Sequence, residues 1–208
     1  MPHMGLSDLI RSLRPSTARA AEFDRLMREH IPALFRSAYR WTGTVDQAED
    51  LVQELLTRLY PRLDELRTLD RVKPWAMRVM YRLFVDQLRR QRASPVQFGL
   101  ETAAADESDQ ELPCIDDELE PDMHVERLLV QERIAAAWTQ LSEEHRIVLS
   151  MHDIEEYSLV EIAAITATPV GTLKSRIHRA RAKLRALLER ERLDQDVRVR
   201  DDGQRVNL

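Results

Sequence analysis

The chain has 208 residues, of which 32% are charged and only 5% aromatic, and its formal net charge is −5. That length allows one large domain or two small ones, and no stretch approaches the ~20 consecutive apolar residues of a membrane-spanning helix. A single cysteine, Cys114, excludes an internal disulfide, and the six histidines do not stand at metal-ligand spacing with it.

The opening residues, Met1-Pro2-His3-Met4-Gly5, lack the apolar core of a signal peptide, so a reducing cytoplasm is the expected setting. Residues 1–19 read as an N-terminal extension and residues 20–92 as a first module. Phe23, Leu26, Met27, Ile31, Leu34, Phe35 and Ala38 recur at helical spacing, with Pro32 kinking or restarting the helix. Thr44 is placed to cap a second helix whose apolar set is Val45, Ala48, Leu51, Val52, Leu55, Leu56 and Leu59, and Pro61 ends it. Turning that set inward leaves much of Asp46, Glu49, Asp50, Gln53 and Glu54 outward, either as plain solvated surface or as a docking face. A third helix, about 73–92, presents Met77, Met80, Tyr81, Phe84, Val85 and Leu88, with Arg78, Arg82 and Arg89 elsewhere on its surface. Residues 71–92 hold seven Lys/Arg against one acid, Asp86. Trp75 is either a stacking surface or a core residue, the core reading being favoured for it and for Trp138.

Residues 93–124 contain Pro95, Gly99, Pro113 and Pro121 and few large apolar groups. Across 101–126 there are eleven acids and no Lys/Arg. Such a composition cannot bury a core, so it reads as an acidic flexible linker. Its charge lies between two cationic modules, and on the plainest reading it serves only solubility.

The second module, 125–190, opens on a helix bearing Val125, Leu128, Leu129, Ile134, Trp138 and Leu141. Ser142 is placed to cap a short helix holding Ile147, Val148, Leu149 and Met151. Ser158 with Glu161 forms a capping box, in which each side chain satisfies an orphan N–H at the other's backbone. Ile162 and Ile165 follow as a short apolar stripe. Thr168 can cap the next helix, with Pro169 at its first position, where a missing N–H costs nothing. At about 100° per residue, Leu173, Ile177, Ala180, Leu184 and Leu187 share one side, and Lys174, Ser175, His178 and Arg179 fall roughly opposite. Residues 169–192 hold eight Lys/Arg against Glu189 and Glu191. A capped short helix, a tight turn and a basic two-faced helix make the helix-turn-helix pattern. A guanidinium, a point charge and short polar groups on one face suit base edges in a major groove. Residues 191–208 read as a polar tail. With no strand pattern, the chain is expected to be all-α: two small helical domains joined by the acidic linker. The negative total charge thus conceals two cationic patches. No paired catalytic carboxylates, nucleophile elbow, phosphate loop or metal cluster stands in the sequence, so neither an enzyme activity nor a cofactor is expected.

Three segments resemble one family. Asp46-Gln47-Ala48-Glu49-Asp50-Leu51-Val52-Gln53-Glu54 resembles the Asp-Ala-Glu-Asp-Leu-Val-Gln-Glu stretch of region 2.2 in the sigma-70 family. Pro74-Trp75 through Arg89-Arg90 is similar to its region 2.3–2.4 helix. Pro169-Val170-Gly171-Thr172-Leu173-Lys174-Ser175-Arg176-Ile177-His178-Arg179-Ala180-Arg181 resembles region 4.2 nearly position for position. In this order and spacing the resemblance is to the compact extracytoplasmic-function group of RNA polymerase sigma factors.

The resemblance implies an alternative sigma factor with a region 2 bundle and a region 4 helix-turn-helix. Asp46, Glu49, Asp50, Gln53 and Glu54 would dock on the clamp helices of the polymerase largest subunit. Arg78, Arg82, Asp86, Arg89, Arg90 and Arg92 would meet the −10 element, with the loop at about 64–74 capturing an unstacked base. Thr172, Lys174, Ser175, Arg176, His178, Arg179 and Arg181 would meet the −35 element, His178 either as a base-edge donor or as a phosphate neighbour. The implied partners are core RNA polymerase, promoter DNA and an anti-sigma factor, with no membrane insertion and no small-molecule substrate. The acidic linker would occupy the cationic RNA exit path of the polymerase. Two departures stand out. Arg82 replaces the family's usual Asn, which bears on the upstream −10 base preference. Thr166-Ala167-Thr168 replaces Leu-Gly-Ile before the proline, which predicts a slightly altered turn with Thr168 capping in compensation. The rival readings are an autonomous helix-turn-helix regulator whose N-terminal bundle senses a ligand or dimerises, and a nucleic-acid enzyme.

Overall fold

Helix α1 (Ala18–Met27) and helix α2 (Ile31–Thr42) meet at a short turn, because Pro32 falls in the first turn of α2 and starts a new helix there. The computed structural model describes the backbone of residues 18–93 and 121–205, and the side chains of 18–93 and 130–190. The acidic run between the two parts, Cys114 and the N-terminal extension before residue 18 lie outside the described residues. Gly43 closes α2 in a left-handed conformation, φ 89°, donating its N–H to the Tyr39 carbonyl. A side chain here would meet more than strain, since a Cβ would lie 3.1 Å from Arg146 Nη1.

Helix α3 (Val45–Leu59) is capped by Thr44, whose hydroxyl accepts from Gln47 N. Its Ala48, Leu51, Val52, Leu55 and Leu59 are fully buried, as the spacing predicts. Beyond a 3₁₀ turn at Tyr60–Arg62 and the single-turn helix α4 (Leu63–Leu66) comes helix α5 (Val72–Ala93). It packs on α3 through Ala76, Met77, Met80, Leu83 and Phe84.

Helix α6 (Pro121–Thr139) starts inside the stretch read as linker. Ala137 is buried on it, whereas Ile134, expected inward, is 45% exposed together with Val130 one turn before. α6 packs against the long C-terminal helix, and among its described side chains alanine rather than isoleucine is the buried one. Helix α7 (Glu143–Leu149) runs into a π-helical turn at Ser150–Ile154. Ser142 stands at the start of α7, yet its side chain makes no cap bond; its carbonyl accepts from His145 N and Arg146 N instead.

Helix α8 (Leu159–Thr166) has the expected capping box, with Glu161 N donating to Ser158 Oγ and Ser158 N to Glu161 Oε2. Helix α9 (Val170–Arg205) is the long basic helix, and its backbone continues through the stretch read as a tail. The turn between them corrects the sequence reading. Ala167 takes the left-handed conformation itself, φ 53° and ψ 34°, without a glycine. That costs roughly 1 kcal/mol or more. Thr168 donates to the Thr166 carbonyl, and it is the Pro169 carbonyl that receives the first helical bond, from Leu173 N.

Among the described residues every regular element is helical. The two modules are not separate bodies. α5 packs against α8, and α2 packs against α7 and the π turn, so one hydrophobic cluster runs from Phe23 to Leu187. Trp41, fully buried, joins them: its ring packs on Tyr81 and Phe84 and its Nε1 donates to Ser150 Oγ at 2.7 Å. Trp138 Nε1 crosses the same boundary to the Arg40 carbonyl.

Candidate nucleic-acid and polymerase interfaces

On α9 the two faces separate as periodicity dictates. Leu173, Ile177, Ala180 and Leu187 are buried, while Thr172, Lys174, Ser175, His178 and Arg179 are exposed. Burial of one face fixes the roll of the helix, so the outward face is presented without any further device. Ser175 Oγ donates to the Thr172 carbonyl one turn back, which leaves the acceptor lone pairs of its hydroxyl facing solvent. Arg176 and Arg181 stand apart from this set. Arg176 is drawn to the flank by Glu144 at 3.2 Å and is only 22% exposed. Arg181 forks onto the Asp153 carboxylate through Nε and Nη2. The two flanking guanidiniums are thereby held by acids of their own module. His145, partly buried behind α9, has its imidazole pushed down first by burial and then by the nearby Arg179 cation.

On α5, Arg82, Arg89, Arg90 and Arg92 are exposed, while Arg78 is half-buried and its Nε meets no partner among the described residues. Asp86, also exposed, lies 3.6 Å from Arg89, and its carbonyl accepts from Arg90 Nε. Arg92 reaches across to Glu143 of the second module at 3.6 Å. In the first turn of α5, Trp75 packs against the core with the Arg62 guanidinium 4.7 Å above its ring, so it is a stacked, half-buried residue and not a free platform.

The acidic set on α3 is split by its own helix. Asp46, Asp50 and Gln53 are exposed, whereas Glu49 and Glu54 are half-buried. Glu54 binds Arg58 at 3.3 Å and accepts from Gln87 Nε2 of α5. Asp50, Glu54, Arg90, Glu143 and Arg146 line an open groove of about 420 Å³ where the two modules meet.

Residues that the sequence did not single out hold that boundary. Glu155, only 8% exposed, accepts from Arg40 Nη1 at 3.1 Å and Lys73 Nζ at 2.7 Å, with Ser37 Oγ 3.2 Å away. Burial pushes the Arg40 guanidinium down, and the Glu155 carboxylate opposes that. Arg71 Nη1 binds Glu161 Oε1 at 2.8 Å beside it. No local signal marks these pairs. The partners of Glu155 lie 82 to 118 residues away along the chain.

No helix of the described residues is long and apolar enough to cross a membrane, and no group of three His, Cys, Asp or Glu among them could hold a metal ion.

Comparison with known proteins places these elements. The family described as Sigma-70 region 2 matches residues 26–94, and Sigma-70, region 4 matches residues 131–184. The ECF RNA polymerase sigma factor SigW of Bacillus subtilis is 30% identical over 155 residues, covering 74% of this chain and 82% of that protein. SigL of Mycobacterium tuberculosis is 32% identical over 175 residues, covering 84% of this chain and 93% of the relative. Among solved structures, the sigma factor RpoE in complex with the anti-sigma factor NepR from Bartonella quintana superposes with a TM-score of 0.60 at 25% identity, over 80% of this chain and 96% of that one.

Proposed function

We infer that this chain, which belongs to the ECF RNA polymerase sigma factors, works as a dissociable initiation subunit whose two modules divide promoter recognition between them. It is a binding subunit and not an enzyme. The observation that carries the division of labour is the outward face of α9: Thr172, Lys174, Ser175, His178 and Arg179 are all exposed while the apolar positions between them are buried.

Residues 20–92 form the unit that meets core polymerase and the −10 element in this reading, 93–124 the tether, and 125–190 the unit that reads the −35 element, flanked by extensions at 1–19 and 191–208. Arg179 and Lys174 supply base-edge donors, with Ser175 and His178 beside them. Arg176 and Arg181, already bound to Glu144 and Asp153, serve phosphates at the groove walls if those acids release them. Arg82, Arg89, Arg90 and Arg92 neutralise the backbone of the opened −10 strand, and each phosphate engaged steepens the salt dependence. The exposed acids of α3, Asp46 and Asp50, with Gln53 and the half-buried Glu49 and Glu54, form the face for polymerase. An anti-sigma protein is the expected regulator, and the cytoplasm, where polymerase works, the expected location.

Run-off transcription with purified core polymerase on a genomic fragment library tests this directly. Specific transcripts are expected only when chain and core are both present. Tight, sequence-specific retention of a duplex by the chain alone would favour an autonomous regulator.

A further inference from the structure

The cations of α9 are not equally free. Lys174 and Arg179 are exposed, and among the described residues neither forms an ion pair. At about 100° per residue, Arg176 and Arg181 fall on opposite flanks of that outward set. A helix with its side chains is about 10–12 Å across and the major groove about 12 Å wide, so arms on the two flanks abut the two phosphate walls. Each flank meets an acid of its own module. Arg176, half-buried, lies 3.2 Å from Glu144 in the first turn of α7. The Arg181 guanidinium binds both oxygens of Asp153, with its Nε 3.0 Å from Oδ2. Asp153 stands on fixed backbone. Ser150 and Met151 of its π turn are buried, Glu155 N donates to the Ser150 carbonyl, and Tyr157 N donates to the Met151 carbonyl. An acid so held is aimed at its partner, and π turns recur at functional sites for this reason.

We propose that Asp153 and Glu144 are specificity-determining residues, which keep the two flanking guanidiniums of α9 off DNA phosphates wherever the outward face finds no matching bases. The proposal rests on α9 being the helix that reads duplex DNA. Phosphates are the same at every sequence, so each cation given to them raises affinity for all duplexes alike. A carboxylate already seated on the cation must be displaced before a phosphate takes its place, and this lowers the indiscriminate share of binding. Lys174 and Arg179 carry no such handicap, and their base-edge contacts exist only at a matching site. Binding therefore leans on the cations that can tell sequences apart. Among the many competing sites of a genome, the ratio of specific to non-specific binding is the quantity that counts, and the two acids act on its denominator. Were the same acids instead holding the guanidiniums ready for phosphate, their removal would weaken binding to every duplex.

The test uses the full chain and a labelled DNA duplex of random sequence at low salt. The test variant is Asp153→Asn with Glu144→Gln, each replacement close in size to the residue it removes. The control, Glu132→Gln with Glu189→Gln, makes the same charge change at exposed positions, one of them on α9 itself. The test variant is expected to bind the duplex at least fivefold tighter than the control. Its log K against log salt should steepen by about 1.8, the share of two phosphates on a duplex. No gain over the control, a gain with the control's salt slope, or weaker binding overturns the proposal. Lys174→Ala with Arg179→Ala checks the underlying reading separately. If that pair leaves wild-type affinity for the duplex unchanged, the proposal falls together with the assignment of α9 as the DNA reader. Holoenzyme carrying the test variant should also yield run-off transcripts from genomic fragments that the wild type ignores, and the wild-type set alone would overturn the role in specificity. Should circular dichroism show the double variant unfolded, Glu144→Gln alone carries the test, with the same directions expected and a salt-slope change of about 0.9.

Discussion

Arg179 shows how much one side chain inherits from its neighbours. It is exposed because Leu173, Ile177 and Ala180 are not, and nothing beyond the helix period is needed to aim it. In the proposed reading this guanidinium meets base edges, so Arg179→Ala is expected to lose roughly 1–3 kcal/mol of −35 affinity in a base-dependent way, read from holoenzyme transcription on a panel of −35 variants. An equal loss on every sequence would make it a phosphate contact. Tyr157 is the opposite case, a polar group whose surroundings ignore its polarity. Its ring is buried, and its hydroxyl meets no hydrogen-bond partner among the described residues. Burial, helped by Glu155, pushes the phenol up to about 12. The neutral form is thus favoured on folding, so this contribution is complete below about pH 10 and is lost as pH rises through 12, on the order of 2–3 kcal/mol. Tyr157→Phe should leave stability near neutral pH within about 1 kcal/mol and should flatten the loss between pH 10 and 12 in alkaline melting curves.

Elements were legible where their signals are local. The Ser158–Glu161 box spans four residues, and both reciprocal bonds are present. The inward set of α3 follows from its period, as does the restart of the helix at Pro32. Ser142 and Thr168 show the limit of such reading. Both are good capping residues at helix starts, but backbone carbonyls at those starts, from Ser142 itself and from Pro169, take the first helical bonds without their side chains. Ile134 shows another limit, because periodicity cannot say how wide a partner surface will be. The outward part of α3 carries its own expectation. Asp50 is exposed and far from the buried set of its helix, so Asp50→Lys should weaken binding to core polymerase by about tenfold or more while moving folding stability by no more than about 0.5 kcal/mol. Parallel melting and polymerase pull-down measurements separate the two. A drop in melting temperature as large as the drop in binding would make Asp50 a structural residue.

At the scale of the molecule, sequence periodicity separates the modules and the structure joins them. The joining depends on pairs such as Trp41 with Ser150, 109 residues apart, and no window of local sequence contains both. Its consequence is cooperativity. With a continuous core from Phe23 to Leu187, the chain should unfold in one transition, with probes in either module giving coincident curves. Trp41→Phe, which removes the indole N–H and part of the buried ring, should lower both curves together by roughly 1–3 kcal/mol. Two separated transitions in the intact chain would show that the contacts across the boundary do not bind the halves into one folding unit.

The uneven exposure of the two basic helices sets an order of events in time. In the proposed reading, the outer face of α9 meets solvent while Arg71 and Lys73 are already engaged, so an arriving chain would meet intact double helix with its reading face complete and a separated strand with only the remaining cations of α5, Arg82, Arg89, Arg90 and Arg92. Reading thus comes ahead of prying. A subunit arranged this way would not stabilise accidental breathing of DNA at sites that lack the correct upstream sequence.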